Sequence, residues 1–205
     1  MIRTSLAIAL LGFALAACSP QDPQQQTSSA LADGVLLPAY SSWNQSNQQL
    51  ASSAPALCKG SQDLSQARQA LLTSIGSWAT LQPLLVGPLA EGNHAWQVQF
   101  WPDKKNLVQR QVEALLKSKP QLAQTDLDKA SVVVQGLTAY EYVLFDAAID
   151  LNEPAQKSRY CPLLVAIGEH QAQLSGKILA QWQAQDGMVA QLKAFPNSRY
   201  AEAPE

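Results

Sequence analysis

YSSWNQSNQQLASSAPALC, residues 40–58, places Tyr40, Trp43, Leu50, Ala54 and Leu57 at three- and four-residue steps, with Asn47 on the same line. That spacing marks one face of a helix, since the two sides of a strand alternate at every residue. Pro38 fits the first turn, where its missing amide costs nothing. Lys59-Gly60 then breaks the helix. Asp63, with Gln66 three residues on, reads as a capping box. Leu64, Ala67, Leu71, Ile75 and Trp78 then form the next stripe, closed by Pro83 and Gly87-Pro88.

The pattern continues outward. Residues 89–102 are less regular and hold His94, Trp96, Phe100 and Trp101. Asp103 is the expected N-cap of a third helix with Leu107, Val108, Val112 and Leu115 on one side, stopped by Pro120. A fourth helix is expected from about Asp126 to Ile149. A loop over residues 151–158 leads to a fifth, opening at Cys161-Pro162, with Leu163, Ile167, His170, Leu174, Ile178 and Trp182 on one side. Helical periods with short connections imply an all-α fold, an up-and-down helical bundle.

The N-terminus reads differently. One positive charge, Arg3, precedes an apolar run from Leu6 to Ala17. The run is shorter than the roughly 20 residues that span a bilayer, and it fits the core of an export signal. It ends in Leu15-Ala16-Ala17-Cys18, which resembles the bacterial lipobox, so residues 1–17 are expected to be a lipoprotein signal peptide and Cys18 the site of lipidation. The stretch after Cys18 is rich in Gln, Ser and Pro and poor in apolar side chains. Residues 18–30 are therefore expected to be a flexible tether to a membrane. Ser19 stands where inner-membrane retention usually takes Asp, which favours an outer-membrane anchor facing the periplasm. Residues 31–205 form the expected helical domain, enough for one real core.

Composition narrows the function. Of the 205 residues, 47% are hydrophobic and 15% charged, with a formal net charge of -2. Nucleic acid is excluded as a partner, because phosphate binding needs a basic face. Of three cysteines, Cys58 and Cys161 remain once Cys18 is lipidated. In an oxidising compartment they are expected to form a disulfide, the alternative being two buried thiols. Closing a loop of roughly 100 residues contributes at most about 4.7 kcal/mol in the chain-entropy model.

One carboxylate stands out. Leu127, Ala130, Val134, Leu137, Glu141, Leu144 and Ala148 step by three and four, which puts Glu141 in the middle of an apolar stripe. A buried carboxylate is costly unless paired, protonated or metal-bound. Thr138 shares its face, and Gly136 in mid-helix costs about 1 kcal/mol relative to Ala. Two readings stand side by side. Either Glu141 reaches the edge of the stripe or pairs with a residue such as Arg110, or Gly136, Thr138 and Glu141 line a ligand site.

The segment from Gly136 to Phe145 resembles the signature helix of the imelysin family, Gly-x-His-x-x-Glu followed by an apolar run. Trp78, Gly87-Pro88, Phe100-Trp101-Pro102-Asp103 and Tyr160-Cys161 are similar to other family pieces and occur in the same order. The resemblance implies an imelysin-like helical fold, an envelope location and a link to iron supply. It also implies a candidate metallopeptidase activity, since the family carries a peptidase label. Two departures bear on this. Thr138 occupies the position of the motif's His, and Thr is a poor ligand for zinc or ferrous iron. Family members usually continue into a second bundle, so this chain is expected to be a shortened homologue or the N-terminal part of a longer domain.

A metal set of Glu141, His170 and His94 is open to test, with iron or another divalent metal as the cofactor, because bundle cores host metals. No His-Glu-x-x-His helix, phosphate loop or nucleophile motif is present. The sequence therefore points to a non-catalytic envelope lipoprotein that binds a ligand or metal and works with iron-uptake components. An imelysin-type metallopeptidase and a structural, partner-binding lipoprotein are the alternatives.

Overall fold

The computed structural model describes residues 22–202. Cys18 and the export signal lie outside the described residues. Nine α-helices run through the described chain: α1 (Pro23–Leu31), α2 (Leu37–Lys59), α3 (Leu64–Leu81), α4 (His94–Val98), α5 (Leu107–Ser118), α6 (Gln124–Asp128), α7 (Leu137–Phe145), α8 (Pro154–Gln183) and α9 (Met188–Lys193). The described residues contain no strand.

The framework is made of α2, α3 and α8, packed side by side. Tyr40, Trp43, Leu50, Ala54, Leu71, Ile167, Ile178 and Trp182 are fully buried in its core. The Tyr40 and Trp182 rings lie 4.3 Å apart and tilted. At Gly168 a Cβ would stand 3.0 Å from the Ala51 Cα, so the absence of a side chain lets α8 approach α2. The α2 helix ends at the expected Lys59-Gly60 break, where Gly60 takes φ 77° and forms a left-handed cap. Asp63 and Gln66 form the expected reciprocal cap of α3, at 2.8 and 3.0 Å. Cys58 and Cys161 are joined by a disulfide that ties α2 to α8 across 103 residues of sequence, with Cα atoms 5.7 Å apart.

Three expectations are corrected. Residues 23–30 are helical, not a flexible tether. Asp22 caps α1 by accepting from the Gln24 amide at 3.0 Å. Ser28 and Gln25 then donate to the Leu192 and Lys193 carbonyls, both at 2.7 Å. The polar side chains that made this stretch look unfoldable dock it on α9. The fifth helix starts at Pro154, not at Cys161-Pro162. Pro162 removes one backbone bond inside α8, and Ser158, whose carbonyl loses its partner, lies on the exposed side.

The expected fourth helix, residues 126–149, is broken into α6, a 3-10 turn at Val132–Val134, and α7. Gln135 explains the first break. Its buried Nε2 donates to the carbonyls of Leu127, Asp128 and Ala130, at 3.0, 3.3 and 3.1 Å, and so satisfies the end of α6. The three consecutive valines also favour a helix less than unbranched residues do. The bundle therefore has three long helices, with the segment from residue 82 to 150 wrapped against them in short pieces.

Candidate functional site

Gly136 is not in mid-helix. It is the extended N-cap of α7, and its place is set by packing. A Cβ there would fall 2.6 Å from the Val98 carbonyl oxygen and 2.9 Å from that of Gln97. This contact seats α7 against the end of α4. Thr138, in the first turn, donates its hydroxyl to the Phe100 carbonyl at 3.0 Å. The C-terminal end of α7 is held by Arg68 of α3. Its Nε and Nη2 donate to the Leu144 carbonyl at 2.9 and 2.7 Å, and its guanidinium lies 4.8 Å from the Phe145 ring centroid.

Glu141 is exposed, which corrects its expected position within the stripe. With α7 starting only at Leu137, its buried face runs through Leu137, Tyr140, Val143 and Leu144, and Glu141 turns outward. Among the described residues no ion pair includes Glu141, so the Arg110 pairing is not made. Glu141 and Thr138 line a shallow cleft of about 260 Å³ with Asp103, Asn106, Tyr142 and Asp146. Asp103 is already engaged there. Its carboxylate accepts from the Leu107 and Val108 amides at 2.8 and 3.3 Å, capping α5 from four residues ahead of the helix.

Glu141, His170 and His94 do not come together. His94 Nδ1 donates to the Pro88 carbonyl at 3.1 Å, which folds its ring back on its own loop. His170, on α8, places Nδ1 3.3 Å from Asp128 Oδ1 at the end of α6. Among the described residues, no three His, Cys, Asp or Glu side chains are grouped closely enough to hold a metal ion.

A second polar constellation lies elsewhere. Glu113 of α5 accepts at Oε1 from Tyr160 of α8 at 2.7 Å and from Tyr142 of α7 at 3.1 Å. Its Oε2 pairs with the Arg159 guanidinium. Burial, then the hydrogen bond and charge of Glu113, raise the Tyr160 phenol above its ordinary value. Burial and the Glu113 charge raise Tyr142 as well. Both phenols therefore stay protonated at neutral pH and serve as donors. Glu113 and Arg159 open onto a cleft of about 620 Å³ that also takes in Lys117 and Ser158. Sequence reading misses this group, because its members come from three helices and 47 residues separate Glu113 from Tyr160. The available signal is a Glu on a helix whose apolar stripe runs elsewhere.

A buried glutamine belongs to the same frame. Gln171 of α8 is fully buried and donates to the Gln97 and Gln135 carbonyls at 2.7 and 3.0 Å, holding α4 and the turn before α7 in place.

A helical bundle with a glycine-led short helix at its polar cleft defines the class, and comparison with known proteins gives the family. The family model described as Imelysin matches residues 36–204. The chain belongs to the imelysin family. The crystal structure of an imelysin-like protein from Psychrobacter arcticum 273-4 superposes with a TM-score of 0.71 at 20% sequence identity, over 83% of this chain and 54% of that one. The chain thus spans about half the length of that protein. Among curated proteins no sequence matches it.

Proposed function

We propose that this chain is a lipid-anchored envelope protein that binds a ligand without cleaving peptide bonds, in the service of iron uptake. The observation that carries this reading is the bond made by Thr138. Where the family motif has an imidazole, this chain has a hydroxyl committed to the Phe100 carbonyl. A hydrolytic metal is typically held by three protein ligands beside its activated water, and among the described residues Glu141 belongs to no group of three His, Cys, Asp or Glu side chains that could hold one. What remains at the motif is an open cleft bordered by Asp103, Glu141 and Asp146, with a negative character that suits a cationic ligand or a metal complex.

The envelope location is supported by Leu15-Ala16-Ala17-Cys18. The Cys58–Cys161 disulfide fits an oxidising compartment. Two experiments test the proposal. The chain expressed with its own leader is expected to take up labelled palmitate, and Cys18→Ser to abolish the label. Calorimetry with ferrous, zinc and copper ions and with haem is expected to show binding that Glu141→Ala removes. Chelator-sensitive cleavage of a denatured protein by the purified chain would replace binding with the peptidase reading. Absence of any binding would leave a structural, partner-binding lipoprotein.

A further inference from the structure

One carboxylate oxygen of Glu113 receives the phenols of Tyr142 and Tyr160, each from a different helix. Around Glu113 Oε1, the phenol oxygens stand at 2.7 and 3.1 Å. Neighbouring oxygens on an octahedral ion bound at 2.0–2.1 Å are about 2.8–3.0 Å apart. The two hydrogen-bonded separations lie on either side of that edge length, each within about 0.1 Å of it, so small side-chain shifts would fit them to an octahedral ion. The donor set is one carboxylate and two phenols, all hard oxygen ligands that favour hard cations over soft ones. Displacing two phenol protons takes a highly charged ion. With both phenols deprotonated the three ligands carry three negative charges, which offset a trivalent cation.

We propose that Glu113, Tyr142 and Tyr160 form a binding site for a hard trivalent cation, with ferric iron as the probe. On binding, each phenol releases its proton to water, and the metal takes the place of the two O–H···O bonds without change of oxidation state. Arg159 pairs with Glu113 Oε2, and with Lys117 and Ser158 it borders the adjoining cleft of about 620 Å³. The Arg159 and Lys117 charges and the Ser158 hydroxyl are placed to hold a small anion that fills the coordination positions the protein leaves open. The site rests on the reading above in one respect, that the chain binds a metal. Tyr142 also borders the Asp103–Glu141 cleft, but the two sites use different carboxylates, so Glu113→Gln and Glu141→Ala distinguish the failure of one from the failure of the other.

The test is titration of the disulfide-bonded chain with ferric nitrilotriacetate, read by visible absorption. The expected result is a tyrosinate-to-iron charge-transfer band that saturates near one ion per chain. Tyr160→Phe and Tyr142→Phe are each expected to weaken binding at least tenfold and reduce the band. Glu113→Gln is expected to weaken binding, and Tyr200→Phe to leave the band unchanged. Gallium, trivalent and without redox chemistry, is expected to give the ultraviolet difference spectrum of ionised tyrosine. A folded wild-type chain that shows neither signal overturns the proposal. So does a band that persists in the folded double variant Tyr142→Phe/Tyr160→Phe. If that variant does not fold, the wild-type gallium spectrum alone decides.

Discussion

The α2–α3–α8 framework and the segment from residue 82 to 150 are built by different means. The framework is long helix packed on long helix, held by apolar stripes, a close approach at Gly168 and one disulfide. The segment around α4 to α7 is short pieces whose backbone ends are satisfied by side chains: Gln135 for α6, Asp103 for α5, and Arg68 for α7. Hydrophobic burial is non-directional and tolerates substitution of similar volume. A buried hydrogen bond is directional, and an orphaned partner costs the full desolvation of that group. The two regions should therefore fail in different ways.

The largest effect is expected in the framework. Replacing Cys58 and Cys161 with Ser should lower stability by about 4 kcal/mol, because the reduced chain regains the freedom of a loop of roughly 100 residues. Denaturant unfolding followed by circular dichroism measures it. The helical spectrum of the folded form should be unchanged, since the stripes of α2 and α8 do not depend on the bond. A loss below about 1 kcal/mol would mean that the unfolded chain already keeps those helices together.

Gly136→Ala is expected to come next, at about 3 kcal/mol, although it adds one methyl group. Its Cβ meets backbone oxygens at 2.6 and 2.9 Å, and a carbonyl held by its neighbours cannot turn aside as a flexible side chain can. For a chain of this size that corresponds to a melting point lower by roughly 6–12 °C. A variant as stable as the parent would show that the α4–α7 contact is loose.

Gln171→Leu sharpens the contrast further, at about 2 kcal/mol. The substitution nearly conserves volume in a fully buried site but leaves the Gln97 and Gln135 carbonyls without their donor. Hydrogen exchange should quicken first around residues 94–100 and 135–138, while α2 and α3 stay protected. Uniform loss of protection would show that the two regions unfold as one unit.

The same difference governs what could be read from the sequence. The stripes of α2 and α3 were legible because period, cap and breaker agree: Tyr40 to Leu57 with Gly60, and Asp63 with Gln66. The pairing of Cys58 with Cys161 followed from compartment and count. The break of the expected fourth helix was not legible, because stripe residues 127–148 keep a helical period whether the chain passes them as one helix or as several pieces. Only tertiary structure shows that Gln135 turns back on α6. The outward turn of Glu141 goes with that break: the helix that restarts at Leu137 buries Tyr140, Val143 and Leu144 instead. The Glu113 group was hidden for a separate reason. Tyr142 and Tyr160 both lie in stretches that resemble the family, yet nothing local links them to Glu113.

The smallest expected effect on stability falls at the residue with the largest expected effect on binding. Glu141 is exposed and makes no ion pair among the described residues, so Glu141→Ala should change unfolding free energy by no more than about 0.5 kcal/mol, as for other surface substitutions. A carboxylate in the apolar stripe would behave differently. Its removal would either relieve a buried charge or break the partner that tolerates it, and both shift stability by well over 1 kcal/mol. Thermal unfolding of this one variant therefore separates the two positions for Glu141. Calorimetry on the same sample then asks whether the exposed acid is used. An unchanged melting point with lost ligand binding assigns Glu141 to recognition. An unchanged melting point with unchanged binding removes the Asp103–Glu141 cleft from the function altogether.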